Sequence, residues 1–327
     1  MMPDISLPNM VMTVTGPVAP AEMGITDAHT HVWIEAIPGT VPGLPQLTDQ
    51  QNIVAELVDY RNSGGKTLVD CQPGGCGRNG RIMQELSDRS GVQIVACTGF
   101  HLKKYYRPGY WLYRPEVTVD EVQAYFAGEI SQGLEETRQL RQPVLAGFIK
   151  IAAEADINDT PAGLIEAAAL AARQTGVAIE VHTEKGSDAE KIATRFQQHG
   201  LPFSRLILCH MDKRPDLGLH QELAQAGIVL EYDTFYRVKY RPDQNVWPLL
   251  ESMVASGLEQ QIVLATDMAE AALWARLGGG LGQTAFINQI MSRLQAIGFI
   301  SETVMRLMGG NIANRLAYPL NSTVASL

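Results

Sequence analysis

Six residues whose side chains can bind metal ions or carry protons stand at or near the ends of apolar segments in this 327-residue chain. They are His29, His31, Lys150, His182, His210 and Asp267. Imidazole nitrogens and carboxylate oxygens are ligands that zinc and similar divalent ions take in proteins. On a strand, residues two apart share a face, so both rings of the first pair point the same way. One such histidine alone is most simply a hydrogen-bonded structural residue, but the set predicts a metal site wherever the fold brings it together.

Lys150 lies inside the apolar segment AGFIKIAA at 146–153. Burial disfavours an ammonium ion, so we expect the pKa of this side chain to be lowered towards that of a neutral amine. Three interpretations stay open on this chemistry alone. The amine can pair with a nearby carboxylate, form a Schiff base with a substrate, or add carbon dioxide to give an anionic carbamate that bridges two metal ions.

Short apolar segments alternate with segments of helical periodicity from residue 24 onward. The strands are predicted at 24–32, 66–71, 93–99, 145–151, 178–183, 206–210, 228–233 and 262–267. The helices include 50–63, 119–141, 161–174, 188–199, 217–226 and 247–256, with Thr160 and Pro161 at one helix start. Several strands are apolar throughout, as is typical of a parallel sheet covered on both faces.

Eight such units indicate the α/β class and a single-domain (β/α)8 TIM barrel. We expect residues 1–23 to form an N-terminal extension packed on the barrel and residues 24–327 to form the barrel itself. The segments 100–115 and 234–245 are predicted to be long aromatic loops. A doubly wound open sheet is the competing architecture, but the first strand lacks its glycine-rich phosphate turn.

The carboxyl ends of all strands in a parallel barrel meet at one face. The six residues stand at those ends, so a barrel would bring four imidazoles, an amine and a carboxylate together. This convergence is the reason that a metal site is favoured over six unrelated structural residues.

The composition argues against several classes of partner. The chain has 26 Lys and Arg against 35 Asp and Glu, a net charge of -9, which disfavours nucleic acid and anionic membranes as partners. It has no apolar run of about 18 residues. The start of the chain lacks the basic region of a secretory signal, and the four cysteines form no CxxC pair. We therefore expect a cytoplasmic protein with reduced thiols that acts on a small-molecule substrate.

The motifs around these residues resemble the phosphotriesterase-related family of the amidohydrolase superfamily, from about residue 24 to residue 319. The matching segments are TDAHTH at 26–31, TLVD at 67–70, CTGF at 97–100, GFIK at 147–150, VHT at 181–183, CHMD at 209–212 and ATD at 265–267. All six metal-ligand positions of that family are present in order. The resemblance implies a barrel hydrolase with two divalent ions, and it favours the carbamate among the interpretations of Lys150.

The resemblance also implies the role of each residue. His29, His31 and Asp267 hold the more buried ion, His182 and His210 hold the other, and carboxylated Lys150 bridges them with a hydroxide. The ions are zinc, with manganese or cobalt as alternatives, and the chain forms a homodimer. Asp267 takes the proton of the attacking hydroxide and passes it to the leaving group. Asp212 and Glu180 are the candidates for holding the second ring nitrogens of His182 and His210.

The substrate depends on the loops. EYDTFYRVKYRPD at 231–243, FHLKKYY at 100–106 and GGG at 278–280 resemble the branch that hydrolyses sugar lactones, some of them phosphorylated. Arg237 and Lys239 are candidates for binding an anionic substituent. However, MAEAALW at 268–274 stands where phosphate-handling members carry arginine and tyrosine. We therefore favour a neutral or carboxylate-bearing lactone or ester, with pocket walls drawn from Tyr106, Trp111, Tyr236 and Trp274.

Other activities remain as alternatives. A phosphorylated sugar lactonase is one, and a weak phosphotriesterase is another. Lys213 stands where phosphotriester-hydrolysing members carry an acid, and no histidine is close to Asp233 in the sequence, so their proton relay is not reproduced. A deaminase of the same superfamily would use one metal ion and an acid such as Glu184. A barrel kept only for ligand binding would have lost a metal ligand, and none is lost here.

Overall fold

Eight parallel strands, hydrogen-bonded in chain order, form the central sheet of the computed structural model, which describes residues 8–161 and 163–320. These strands are β3 (Ile25–Thr30), β4 (Gly65–Asp70), β5 (Gln93–Phe100), β6 (Phe148–Ala152), β7 (Ile179–His182), β8 (Leu206–Cys209), β9 (Val229–Tyr232) and β10 (Ile262–Leu264). Each corresponds to a strand predicted from the sequence. They confirm the (β/α)8 barrel.

Three further strands form a small antiparallel sheet beside the barrel. They are β1 (Asn9–Thr13), β2 (Gly16–Val18) and β11 (Tyr318–Pro319), with β1 in the middle. The backbone N–H of Val14, directly after β1, donates to Ile94 O on β5. This sheet therefore joins the two ends of the described chain and attaches them to one side of the barrel.

Helices follow the barrel strands and pack around them. They are α1 (Gln50–Asn62), α2 (Gly80–Ser90), α3 (Val119–Ser131), α4 (Leu164–Thr175), α5 (Ala189–Gln198), α6 (Leu217–Gln225), α7 (Val246–Ala255), α8 (Ala275–Gly278), α9 (Ser292–Ala296), α10 (Ser301–Met305) and α11 (Asn311–Leu316). Within the described parts of the chain, no helix is both long enough and apolar enough to cross a membrane.

Two predicted helix boundaries are wrong for identifiable reasons. The helix predicted at 119–141 ends at Ser131, and Gly133 just beyond it has a φ of 117° that is incompatible with a continuing helix. The helix predicted to start at Pro161 begins at Leu164, because Gly163 with a φ of 82° occupies the N-cap position. At the other end of α4, Gly176 has a φ of 83° and is the left-handed residue that ends the helix.

The first and last barrel strands are joined mainly through one buried side chain. The carboxylate of Asp27 on β3 accepts hydrogen bonds from the backbone N–H of Thr266, at 3.0 Å, and from its hydroxyl, at 2.5 Å. The backbone N–H of Asp267 donates to His29 O at 2.8 Å. Burial raises the pKa of Asp27 to about 7. This connection closes the barrel and places the first and last predicted ligands side by side.

A π-helical turn at Arg306–Gly310 packs against the start of β3. Gly309 in this turn lies so close to the barrel that an added Cβ would overlap the carbonyl oxygen of Gly24. The next residue, Gly310, has a helical backbone, and its nearest neighbour to an added Cβ is Met305 O at 3.4 Å. Only the first of these glycines is required by close packing.

Gly309→Ala is therefore expected to lower the free energy of unfolding by about 1–3 kcal/mol, because the backbone of β3 cannot move aside without disturbing barrel closure. Gly310→Ala is the matched control, and it is expected to change stability by less than about 1 kcal/mol, since alanine suits a helical position. Urea unfolding followed by circular dichroism measures both. Equal stability of the two variants would contradict the packing interpretation.

Candidate metal centre

The carboxyl end of the barrel brings the ligand atoms of His29, His31 and Asp267 together. The Nε2 atoms of both histidines lie 3.7 Å from Asp267 Oδ1. The two rings leave β3 on the same face, as their spacing predicted, and both residues are buried. Thr30 between them points away and its hydroxyl is bound by the side chain of Gln283 at 2.8 Å. Two nitrogens and one oxygen with this separation can surround one divalent ion.

A second pair of ligand atoms converges next to the first group. His182 Nδ1 and His210 Nε2 face each other at 2.8 Å, and the rings of His210 and His29 are 5.2 Å apart. Burial lowers the pKa of His29, and it lowers the pKa of His182 to about 4. The rings of His29 and His182 are therefore neutral at neutral pH, which is the form that binds metal ions. The donor set fits a second divalent ion beside the first.

The backbone is strained at two of these positions. His210 and Asp267 have φ values of 63° and 49°, which place both residues in the left-handed region. Such a conformation costs about 1–3 kcal/mol for a residue other than glycine and is frequent at functional sites. His210 directly follows β8 and Asp267 lies three residues beyond β10, so the turn at each residue aims its side chain across the barrel mouth rather than along the strand.

Each of three predicted ligands is held through its other ring nitrogen. The Nδ1 atoms of His29 and His31 lie 2.8 Å from Glu231 Oε1 and Gln72 Oε1, respectively, and His210 Nδ1 is bound by Asp233 Oδ2. These contacts fix the orientation of the rings, so that the Nε2 atoms of His29 and His31 face Asp267 and that of His210 faces His182.

Neither Asp212 nor Glu180 holds the ring of His182 or His210, contrary to the prediction. Asp212 accepts hydrogen bonds from the backbone N–H groups of Asp233 and Thr234 and from the Thr234 hydroxyl. It therefore positions Asp233, and Asp233 holds His210. Glu180 shares the inner face of β7 with His182 but turns towards Lys150 on β6. His210 and Asp233 are 23 positions apart, so their pairing could not be recognised from the sequence.

Lys150 forms a buried ion pair rather than an isolated amine. Its Nζ lies 2.5 Å from Glu180 Oε1 and 2.9 Å from Cys209 Sγ. The Cys71 thiol donates to the same carboxylate oxygen at 2.9 Å. Burial alone would lower the pKa of Lys150, but the surrounding thiol and carboxyl groups, with Glu231 among them, hold it well above its usual value. The predicted direction was wrong because the acidic neighbours come from other strands.

Asp267 is surrounded by positive and polar groups that keep it ionised. Arg237 donates to its backbone oxygen at 2.5 Å and lies 3.2 Å from Oδ2, while Lys213 Nζ lies 4.0 Å from the same oxygen. Burial raises the pKa of this carboxyl, but hydrogen bonding to His31 and the charge of Arg237 lower it well below its usual value. An ionised carboxylate here can bind a metal ion and accept a proton.

A cavity of about 360 Å³ opens above these side chains. Its inner wall consists of the six predicted residues with Cys71, Gln72 and Cys76. Its outer wall contains Arg237, Glu270, His101 and Tyr105, together with residues 34–37 and 40–46 of one segment of the chain. That segment begins three residues after His31, and nothing in the sequence predicted it to be part of a pocket.

Arg237 is the only member of the predicted substrate-binding set that lines the cavity. Trp274 is fully buried, and its indole N–H donates to Met268 O at 2.9 Å. The Tyr106 hydroxyl accepts from the backbone of His101 behind the pocket wall. Tyr236 is not a lining residue, and Lys239 lies over the Tyr240 ring on the outer loop. Trp111 packs against Phe100. Tyr106 and Trp274 are thus buried in the core, and Trp111 and Tyr236 are partly buried against it.

Gln72, Glu231 and Asp233 hold the histidines, and none of the three was predicted to do so from the sequence. One signal was available, because Glu231 and Asp233 are polar residues two apart in an otherwise apolar strand region. The same spacing relates Glu180 to His182. Polar residues at alternate positions of a buried strand face the interior, where they need partners.

The Lys150–Glu180 pair can be tested by a double-mutant cycle in chelator-treated protein. Lys150→Met leaves an unpaired buried carboxylate, and Glu180→Leu leaves an unpaired ammonium, so each is expected to cost about 3–5 kcal/mol of unfolding free energy. The double variant is expected to be close to the wild type in stability. Arg81→Met, which breaks an exposed pair with Glu85, is the control and should cost less than about 1 kcal/mol. Single variants as stable as this control would contradict the ion pair.

Comparisons with known proteins agree with this geometry. A family model described as the phosphotriesterase family matches residues 9–314. A phospho-furanose lactonase of Mycoplasmopsis synoviae is 25% identical over 323 residues, covering 94% of this chain and 91% of that protein. The phosphotriesterase homology protein of Escherichia coli is 26% identical, covering 84% and 92% of the two chains. The crystal structure of the lactonase Lmo2620 from Listeria monocytogenes has the same fold, with a TM-score of 0.86 at 24% identity and coverage of 95% and 100%. The chain therefore belongs to the phosphotriesterase family and is a hydrolase.

Proposed function

We propose that this protein hydrolyses a lactone or another carboxylic ester at a centre of two divalent metal ions. The observation that carries the proposal is the convergence of His29, His31 and Asp267 beside the facing nitrogens of His182 and His210. Two relatives whose names include lactonase support the choice of an ester bond in a ring. Zinc suits the nitrogen and oxygen donors, and manganese or cobalt are alternatives.

The same residues are proposed to divide between the two ions. His29, His31 and Asp267 would hold one ion, His182 and His210 the other, and Lys150 would join them as a carbamate. Two ions bound in this way supply Lewis acidity and a water activated at neutral pH. Carboxylation replaces the ammonium of Lys150 with a neutral N–H, and this group can still donate to Glu180.

Asp267 is the residue proposed to carry the proton. Its carboxylate is ionised, and Arg237 fixes its orientation from the side opposite the histidines. It can accept a proton from the attacking water and return it to the leaving oxygen of the opened ring. Because Arg237 is engaged in this contact, we propose that it is a positioning residue as well as part of the pocket wall.

The alternatives are less well supported by the geometry. Lys239 lies outside the cavity and Glu270 lines it, which disfavours a phosphorylated substrate. Glu184, the candidate acid of a deaminase, is not among the lining residues and its Oε2 lies 3.5 Å from His182 Nε2. A homodimer and a cytoplasmic location remain predictions.

Asp267→Asn and Lys150→Ala are expected to lower kcat for lactone hydrolysis by at least about 10²–10⁴-fold, since each removes a ligand and Asp267 also the proton acceptor. Proton release from a lactone and ester panel, phosphorylated and not, measures activity after loading with zinc or manganese. Circular dichroism checks that each variant is folded. A variant that stays fully active and resistant to chelators would exclude the mechanism, as would wild-type protein that retains far fewer than about two ions per chain.

Asp233→Asn is expected to weaken metal binding by about 10–100-fold, because the residue that orients His210 loses its charge. Asp243→Asn on the same loop is the matched control, since Asp243 is exposed and pairs with Arg293 at the surface. Competition with a coloured chelator measures the affinity of both variants without any substrate. Unchanged affinity in the first variant would show that Asp233 does not support the centre.

A further inference from the structure

The segment of residues 35–46, called the flap below, is attached firmly at its base. Ile34 and Leu47, which flank it, exchange two backbone hydrogen bonds of 3.0 Å and are both buried. The N–H of Glu35 donates to Gly77 O at 2.9 Å. The flap therefore leaves the barrel and returns to it at one fixed place, directly after the strand that carries His29 and His31.

The flap itself is apolar and short of backbone hydrogen bonds. It contains prolines 38, 42 and 45, which lack an N–H, and Gly39 and Gly43, each with a φ of 86°. Its apolar side chains Ile37, Val41 and Leu44 line the cavity above the six candidate ligands. Val41 is 57% exposed at the cavity mouth. An apolar wall left open to solvent beside a reaction centre indicates a ligand that covers it.

The charged groups around the outer cavity exclude an anionic ligand there. Among the described residues, the lining charges outside the six candidate ligands are Arg237, Glu35 and Glu270. Arg237 is already bound to Asp267, and the carboxylate of Glu270 lies 3.8 Å from the Arg237 guanidinium. Lys213 pairs with Asp233 and does not line the cavity. A phosphate or carboxylate substituent would therefore meet two carboxylates and no uncommitted cation.

We propose that the flap binds an apolar substituent of the substrate, so that the preferred substrate is a neutral lactone with an attached hydrocarbon chain. This inference rests on the proposed function for the position of the ester group. With the ring carbonyl at the candidate metal centre, a substituent pointing outward lies over Ile37, Val41 and Leu44. The neutral chain also distinguishes this substrate class from the carboxylate-bearing lactones that the sequence left open.

A chain-length series tests the proposal in the metal-loaded wild type. The value of kcat/KM for lactones is expected to rise about fourfold for each added methylene, the gain for burying one such group, until the chain outgrows the cavity. A lactone with a phosphorylated substituent is expected to be a poor substrate. The same series of alkyl-substituted lactams, which keep the ring and replace the ester with an amide, gives binding constants by calorimetry without turnover.

Matched variants locate the binding surface. Val41→Asp and Ile37→Asp place a charge on the flap, and each is expected to lower kcat/KM for a long-chain lactone at least tenfold through KM. The loss for the unsubstituted lactone is expected to be much smaller than the loss for the long-chain lactone. Val238→Asp is the control, because Val238 is an equally apolar residue, 86% exposed, on the loop after β9 and outside the cavity lining.

The possible results separate the two proposals. Absence of any chain-length dependence, a preference for the phosphorylated lactone, or equal loss on the unsubstituted lactone would overturn the role of the flap. Wild-type protein that hydrolyses no lactone would overturn the proposed function, and chain-dependent lactam binding that Val41→Asp abolishes would then support the flap alone. If the lactams bind without chain dependence, the flap proposal also fails.

Discussion

Closure of the barrel between its first and last strands is the constraint on which the candidate site depends. The buried carboxylate of Asp27 binds Thr266, and the next residue, Asp267, donates its N–H to the backbone of His29. The residues that close the cylinder thus adjoin two residues that form the site. If these hydrogen bonds broke, the first and last strands could separate, and Asp267 would move away from the histidines. Stability and chemistry therefore share the same few hydrogen bonds.

A second requirement is the compensation of charge inside the barrel. Lys150, which is itself a candidate ligand, is buried together with Glu180 and Glu231, and a single unpaired charge there would be costly. Lys150 and Glu180 compensate each other's charge, and the carboxylate of Glu231 binds the ring of His29. The groups that orient the centre are thus also those that make its burial tolerable. A charged set of this kind specifies one arrangement of the side chains more strictly than an apolar core would.

The loops determine what the centre acts on. The flap provides an apolar surface at the cavity mouth. Lys239, a predicted anion-binding residue, lies outside the cavity, and the aromatic residues predicted to form its walls do not line it. Family membership accounts for the hydrolase chemistry of the barrel end. The substituent that the substrate carries depends on which loop residues face the cavity. In this chain the flap residues Ile37, Val41 and Leu44 face it.

The sequence by itself determined the barrel and the six candidate ligands, because alternation of apolar strands with helices and the HxH spacing are local patterns that survive any change in the loops. Local patterns did not reveal that Glu180 neutralises Lys150, that Asp233 holds His210, or that the flap rather than Trp274 borders the cavity. Only the tertiary structure decided these points. Each depends on which side chains from separate strands and loops meet, and a buried charge or aromatic ring takes whichever partner the packing brings within reach.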